Sequence, residues 1–120
     1  MDKPHRKLNV WNESITLVQV VYELTGSFPR SEEYGFSSQI RRAAVSISGN
    51  IAEGAARKSP KEFIRFLHIA RGSISELDTY IEIAKQLGYI DNESFDRTDK
   101  RMISVDKMLA GLINSLKKSC

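Results

Sequence analysis

The sequence predicts an all-α protein, an antiparallel up-down four-helix bundle with heptad packing, and three observations carry that reading. Four segments repeat apolar residues at alternating three- and four-residue steps, the spacing that lines one side of a helix. Short runs bearing Gly, Pro, Ser or Asp separate those segments, and short links between helices make neighbours antiparallel. No segment shows the apolar–polar alternation of a strand, and no Asn-Gly pair marks a hairpin.

The first segment, about residues 8–25, places Leu8, Trp11, Ile15, Val18 and Tyr22 on one stripe, with Val10, Val20 and Val21 widening it. Gly26 and Pro29 end it, Gly as a residue that readily takes the left-handed cap and Pro as one that cannot continue a helix. The second segment, about 36–57, repeats Phe36, Ile40, Ala43, Ile47, Asn50 and Gly54. Its inward-facing residues are small: Ala43, Ala44, Ser46, Ser48, Gly49, Ala52, Gly54, Ala55 and Ala56. Gly49 and Gly54 each cost up to about 1 kcal/mol of helix propensity relative to Ala. Close helix–helix approach is the compensation the sequence points to.

The third segment, about 60–87, has the clearest start. Ser59 stands at the N-cap, Pro60 at the first helical position and Glu62 at the third, the arrangement of a capping box. Phe63, Leu67, Ala70, Ile74, Leu77, Ile81 and Ala84 follow, with Phe66 and Ile69 flanking them, until Gly88. A helix of that length runs roughly 40 Å. The fourth, about 92–118, is capped by Asp91 and carries Phe95, Thr98, Met102, Val105, Leu109, Leu112 and Leu116.

With 120 residues the chain is one domain, 1–120, able to bury roughly two-thirds of its unfolded surface in a single core. A 41% hydrophobic and 28% charged composition excludes the disordered class. No run approaches the roughly 20 apolar residues of a membrane span, and the N-terminal residues lack the apolar stretch of a signal peptide. The lone cysteine, Cys120, cannot pair within the chain, which fits a reducing cytoplasm. Together these point to a cytoplasmic protein with no membrane partner.

Little in the sequence favours catalysis. The two histidines are His5, near the N-terminus, and His68, which has Arg65 rather than Glu three residues before it. A di-iron bundle needs Glu-x-x-His pairs, so no metal site is expected. No Ser has a plausible His partner, and no glycine-rich phosphate loop is present, so no cofactor is expected either. The informative feature is charge. The chain carries a formal +3, whereas residues 39–71 hold 7 basic side chains against 2 acidic ones, a local +5. Arg42, Arg57, Lys58, Lys61 and Arg65 fall away from the apolar stripes and are the candidate phosphate-binding positions. Arg41 and Arg71 lie nearer the stripes, as candidates to pair with Glu53 or Glu76, while Glu53 also stands four residues before Arg57. Asn50 lies on the stripe itself, where a polar group must find a partner or fix register. A solvated basic face with intersubunit ion pairs accounts for the same residues.

These residues also carry a resemblance to a known family. Val10-Trp11, Phe28-Pro29 with Glu33 and Tyr34-Gly35-Phe36, the run Gln39 to Ile47, Asn50-Ile51-Ala52-Glu53-Gly54, Phe66-Leu67, Ile69 to Ser73 and Glu76-Leu77 follow one another in order. Over about residues 8–90 the chain closely resembles the bacterial four-helix-bundle proteins encoded in intervening sequences of 23S ribosomal RNA genes. The last 30 residues keep only a generic amphipathic helix. The resemblance implies a left-handed antiparallel bundle that assembles as a homopentamer. It extends to the accessory variability determinant of diversity-generating retroelements, which binds nucleic acid and associates with a reverse transcriptase. Two expectations follow: a non-catalytic oligomer that binds RNA or DNA, structured RNA first, and alternatively a module whose arginines serve pentamer contacts or dock a protein partner. Outward apolar residues (Val20, Val21, Ala55, Phe66, Ile69) point to self-association in either case.

Overall fold

A computed structural model describes all of residues 1–120, and four helices account for most of them: α1 Asn9–Thr25, α2 Phe36–Ala55, α3 Pro60–Gln86 and α4 Asn92–Lys117. Two single 3-10 turns, Pro4–Lys7 and Arg30–Glu32, precede α1 and α2. Each helix packs on two neighbours, α1 on α2, α2 on α3, α3 on α4 and α4 on α1, while the diagonal pairs do not meet. The cross-helix partners fix the directions. Ser14 faces Ser48 and Thr25 faces Arg41 between α1 and α2, so one helix rises as the other falls. Ser46 with Ser73 and Gly54 with Phe66, then Arg71 with Asp106 and Lys85 with Phe95, show the same reversal for α2–α3 and α3–α4, and Glu13 with Arg101 joins α1 to α4. No helix is long and apolar enough to cross a membrane.

The starts of α3 and α4 are those the sequence specifies. Ser59 Oγ accepts the Glu62 amide at 3.2 Å, and Asp91 Oδ1 accepts the Ser94 amide at 2.7 Å. That amide bond holds the Asp91 carboxyl below the usual carboxylate range. Glu62 does not close the reciprocal half of the box; its carboxylate turns to Arg65 instead, at 2.9 Å. Gly88 ends α3 with φ +81°, the left-handed cap. Gly26 does not play that part, for its φ is −62°.

The buried face of α1 differs from the stripe the spacing picks out. Val10, Ser14, Leu17, Val21 and Thr25 are inside; Leu8, Trp11, Ile15 and Val18 are half-buried and Tyr22 is exposed. The two stripes are one residue apart, about 100° around the helix. Two hydroxyls disguise the true face, and both are satisfied within the bundle. Ser14 Oγ donates to the Trp11 carbonyl at 2.6 Å and lies 2.8 Å from Ser48 Oγ. Thr25 Oγ1 donates to the Val21 carbonyl at 2.8 Å and accepts Arg41 Nε at 2.8 Å. On α4 a smaller shift makes Ile113 the core residue, with Leu112 and Leu116 half-buried.

The two ends of the bundle are closed differently. At one end the 26–35 connection folds over the core. Phe28 is buried, with its ring centroid 5.3 Å from Tyr89 and 6.3 Å from Phe36, and the Tyr89 hydroxyl donates to Glu32 at 2.8 Å. At the other end α2 turns into α3 over residues 56–59. There the helices touch: a Cβ on Gly54 would lie 2.8 Å from Phe66 Cβ, 3.0 Å from Phe63 Cδ1 and 3.2 Å from the Phe63 carbonyl oxygen. Gly49, one and a half turns earlier on α2, meets nothing within 4 Å and is exposed. The small face is therefore only partly an inner face. Ala43, Ala44, Ser48 and Gly54 are buried, Ser46, Ala52 and Ala55 half-buried, and Gly49 and Ala56 exposed.

The two glycines should thus respond oppositely. Gly54→Leu overpacks the α2–α3 crossing and should lose about 1–3 kcal/mol, whereas Gly49→Ala should be neutral or gain up to about 1 kcal/mol. Thermal melting of the two variants checks this, and equal melting temperatures would show that the crossing is not tight.

Candidate functional site

The basic candidates do not form one surface. Arg57, Lys58, Lys61 and Arg65 gather at the turn from α2 to α3. Ala56 caps α2, so Arg57 and Lys58 leave the helix, and the Ser59–Pro60 start of α3 brings Lys61 and Arg65 back along the same corner. Phe66 is the platform beneath them. Its ring is buried, and the Cζ atoms of Arg57 and Arg65 lie 4.7 Å and 4.6 Å from its centroid. Guanidinium over an aromatic face is held by the ring quadrupole while its outward N–H groups stay free for hydrogen bonding.

Two carboxylates share the corner without neutralising it. Glu62 accepts Arg65 Nε at 2.9 Å, and that bond, with the Arg65 charge next and weaker contributions from Arg57 and Lys61, draws the Glu62 carboxyl below its ordinary range. Glu53 lies 3.8 Å from Arg57, a loose pair across one turn. Both arginine side chains remain about half exposed, 45% and 59%. Lys58 and Lys61 are exposed and pair with no carboxylate. The corner is thus a positive surface whose arginines are oriented and whose lysines are free.

Arg42 stands apart from it. It is exposed and unpaired, but 13 residues before Ala55 at the end of α2, about 20 Å along the axis, in the half of the bundle nearer the 26–35 connection. Of the other polar candidates, Arg41, Arg71 and Asn50 bond within the bundle. Arg41 does not pair with Glu53 or Glu76. Its Nε donates to Thr25 Oγ1 at 2.8 Å and its Cζ lies 4.6 Å from the Tyr22 ring centroid. Its place in the early half of α2 puts it beside the last turn of α1, whereas Glu53 is more than three turns further along. Arg71 likewise turns away from Glu76, to Asp106 of α4, in a two-pronged pair at 2.8 and 3.1 Å. The Asp106 bonds raise the Arg71 pKa, so its charge is fixed. Glu76 is exposed, with no ion pair. Asn50 is half-buried beside the stripe, donating to the Ser46 carbonyl at 2.8 Å and to Ser46 Oγ at 3.1 Å, and Ser46 in turn meets Ser73 at 2.9 Å. His68 is exposed.

Sequence reasoning missed Phe66 as a platform and Asp106 as a partner. Phe66 reads as a flanking residue because it lies off the apolar stripe, covered by the close approach of α2 at Gly54 and by the guanidiniums of Arg57 and Arg65. Asp106 lies 35 residues from Arg71, and no local pattern links residues that far apart.

Comparison with known proteins now bears on this arrangement. The sequence pattern of the 23S rRNA-intervening sequence protein family matches residues 6–111, and the chain belongs to that family. The match extends beyond the 8–90 region of the quoted motifs and takes in most of α4. A solved crystal structure from Bacteroides thetaiotaomicron, a protein with unknown function from the S23 ribosomal protein family, superposes with a TM-score of 0.80 at 26% identity. The alignment covers 87% of this chain and 97% of that one. No curated protein matches the chain.

The Arg71–Asp106 pair is bidentate yet partly exposed, so its worth is that of a good surface pair. A double-mutant cycle with Arg71→Ala and Asp106→Ala should give a coupling near the top of the 0.2–1 kcal/mol range for such pairs. Urea denaturation reads it out, and zero coupling would show that the pair does not join α3 to α4 in solution.

Proposed function

We propose that this member of the 23S rRNA-intervening sequence protein family is a non-catalytic cytoplasmic homo-oligomer that binds nucleic acid, structured RNA in the first place. The observation that carries the reading is the α2–α3 corner, where four cations meet two carboxylates, Glu62 bonded to Arg65 and Glu53 only loosely paired with Arg57. Arg57 and Arg65 are seated on Phe66, which reduces the side-chain entropy lost when a phosphate is bound. Phe66 lies beneath its guanidiniums and is not free to stack on a base. With no free aromatic to stack on bases, the corner is suited first to backbone and shape recognition. The structural neighbour's description names a ribosomal protein family, which supports RNA as the ligand, whereas the family's own description concerns where its genes lie.

Self-association is supported by apolar surface, though not by the residues that the sequence picks out. Val21 and Phe66 are buried and Val20 and Ala55 half-buried; of that set only Ile69 is exposed. The exposed large apolar side chains are instead Tyr22, Tyr34, Val45, Ile69, Ile83, Leu87 and Ile103. They lie along the sides of the helices and toward one end of the bundle, where apolar surface is available to a subunit interface. A pentamer of 13.6 kDa chains, the assembly that the family resemblance implies, has a mass of about 68 kDa. It multiplies the corner, so that weak single contacts gain avidity where geometry lets several engage together.

Two measurements test this. Light scattering at micromolar concentration should return the oligomer; a stable monomer would remove the self-association reading. Fluorescence anisotropy with a labelled structured RNA should show binding at low salt that weakens steeply as salt rises. Arg57→Glu with Lys58→Glu should weaken that binding and flatten its salt dependence while leaving the oligomer mass unchanged. No binding by the wild-type protein at low salt would eliminate nucleic acid as the ligand and leave the protein-docking module standing.

A further inference from the structure

The antiparallel register brings three segments that are remote in sequence to one end of the bundle. The start of α1, the end of α2, the start of α3 and the end of α4 all lie there. The 3-10 turn Pro4–Lys7 packs against α1 and α2 at that end, where Asn12 donates to the Arg6 carbonyl at 3.2 Å and the Arg6 guanidinium carbon lies 5.6 Å from the Trp11 ring. Across the bundle, α3 and α4 are aligned by Arg71 with Asp106 and by Lys85 over Phe95 at 4.1 Å. Continuing that register down α4 brings Lys117 and Lys118 level with the Ser59–Lys61 turn.

The consequence is a polarised molecule. Lys3, Arg6 and Lys7 from the first segment and Lys117 and Lys118 from the last join the four cations of the α2–α3 corner. Only Asp2, Glu53 and Glu62 oppose these nine, giving a formal +6 for this end and −3 for the rest of a +3 chain. All five added side chains are exposed and none forms an ion pair.

We infer that the whole basic end of the bundle, and not the α2–α3 corner alone, is a continuous phosphate-binding surface for nucleic acid, with Lys117 and Lys118 of α4 as contact residues. The inference rests on the nucleic-acid reading above and extends it to residues that the family match does not reach, since that match ends at 111. A polyphosphate backbone fits this end better than a membrane surface does. Anionic lipid attracts cations by charge alone, but firm interfacial binding draws also on apolar side chains inserted among the lipids, and apart from Met1 the exposed large apolar residues lie elsewhere. Tyr22, Tyr34, Ile83 and Leu87 are toward the opposite end and Val45, Ile69 and Ile103 are along the middle. What remains is a cationic surface on a bundle of 26 by 19 Å cross-section, a span comparable to the width of a nucleic-acid duplex.

The test uses the full chain and a fluorescein-labelled RNA hairpin, with anisotropy titrations across a salt series. Lys117→Gln with Lys118→Gln removes two cations from the basic end; Arg97→Gln with Lys100→Gln removes two from the half of α4 that lies away from it. Each phosphate contact contributes about 0.7–0.9 to the slope of log affinity against log salt, so the first pair should lower the slope by about 1–2 and the second should leave it near wild type. Melting temperature and oligomer mass should be unchanged in both. Equal effects of the two pairs would mean that net charge alone acts, and a wild-type slope in the Lys117/Lys118 variant would mean that α4 makes no contact. Either result overturns the inference while leaving the α2–α3 corner in place. Stronger binding to phosphatidylserine vesicles than to the hairpin also overturns it. A wild-type protein that does not bind the hairpin at low salt fails at the earlier step and takes the nucleic-acid reading with it.

Discussion

The α2–α3 crossing at Gly54 is the constraint on which the rest of the molecule depends. A side chain there would press on Phe66 and on the Phe63 backbone, so only glycine lets the two helices approach as they do. That approach allows the 56–59 connection to be short and sets Phe66 under the residues that leave α2. The cost in helix propensity, up to about 1 kcal/mol relative to Ala, is local. What it secures is shared, since α2 is held between α1 and α3 and its register against α3 carries the Ser46–Ser73 contact, to which Asn50 adds its bonds from within α2. A wider crossing would loosen the polar ladder and the arginine platform together.

Much of this was legible from residue spacing, and the failures share one physical cause. Helix number, direction, the N-caps of α3 and α4 and the α3 stripe follow from local chemistry, as Ser59 and Asp91 show by capping as expected. The face of α1 does not, because Ser14 and Thr25 are polar by type and buried in fact. A hydroxyl that bonds a carbonyl in its own helix loses little on burial, so its polarity says nothing reliable about which way it points. Charge partners fail for a related reason. Arg41 and Arg71 sit near the apolar stripes, as the spacing indicates, but the partner of each lies on another helix, Thr25 on α1 and Asp106 on α4. Only the three-dimensional register selects those partners, and a linear reading defaults to the nearest carboxylate.

The same register explains why five of the cations at the basic end escape a reading along the chain. The surplus in residues 39–71 is a property of sequence; the surplus at one end of the bundle is a property of topology. An up-down bundle sends alternate helix ends to the same place, so chain segments about a hundred residues apart become neighbours. Arg42 shows the converse, since it belongs to the basic stretch in sequence yet stands about 20 Å along α2 from the end of that helix.

This polarity places a condition on any assembly that binds nucleic acid. Head-to-tail stacking of the bundles would set the basic end of one against the remainder of the next, which carries a formal −3, and would spend the surface on self-association. Side-by-side packing with the bundles parallel leaves it open and gathers one copy per subunit on a single face. The exposed apolar residues favour the second arrangement, for they lie along the flanks and toward the far end, and the basic end offers none of them beyond Met1. Like charges on one face repel, by an amount that salt screens over roughly 10 Å at 0.1 M, so the flanks must supply more than that repulsion takes away. A phosphate backbone laid across the face removes the repulsion. Subunit association and nucleic-acid binding are then coupled through the same charges, and each strengthens the other.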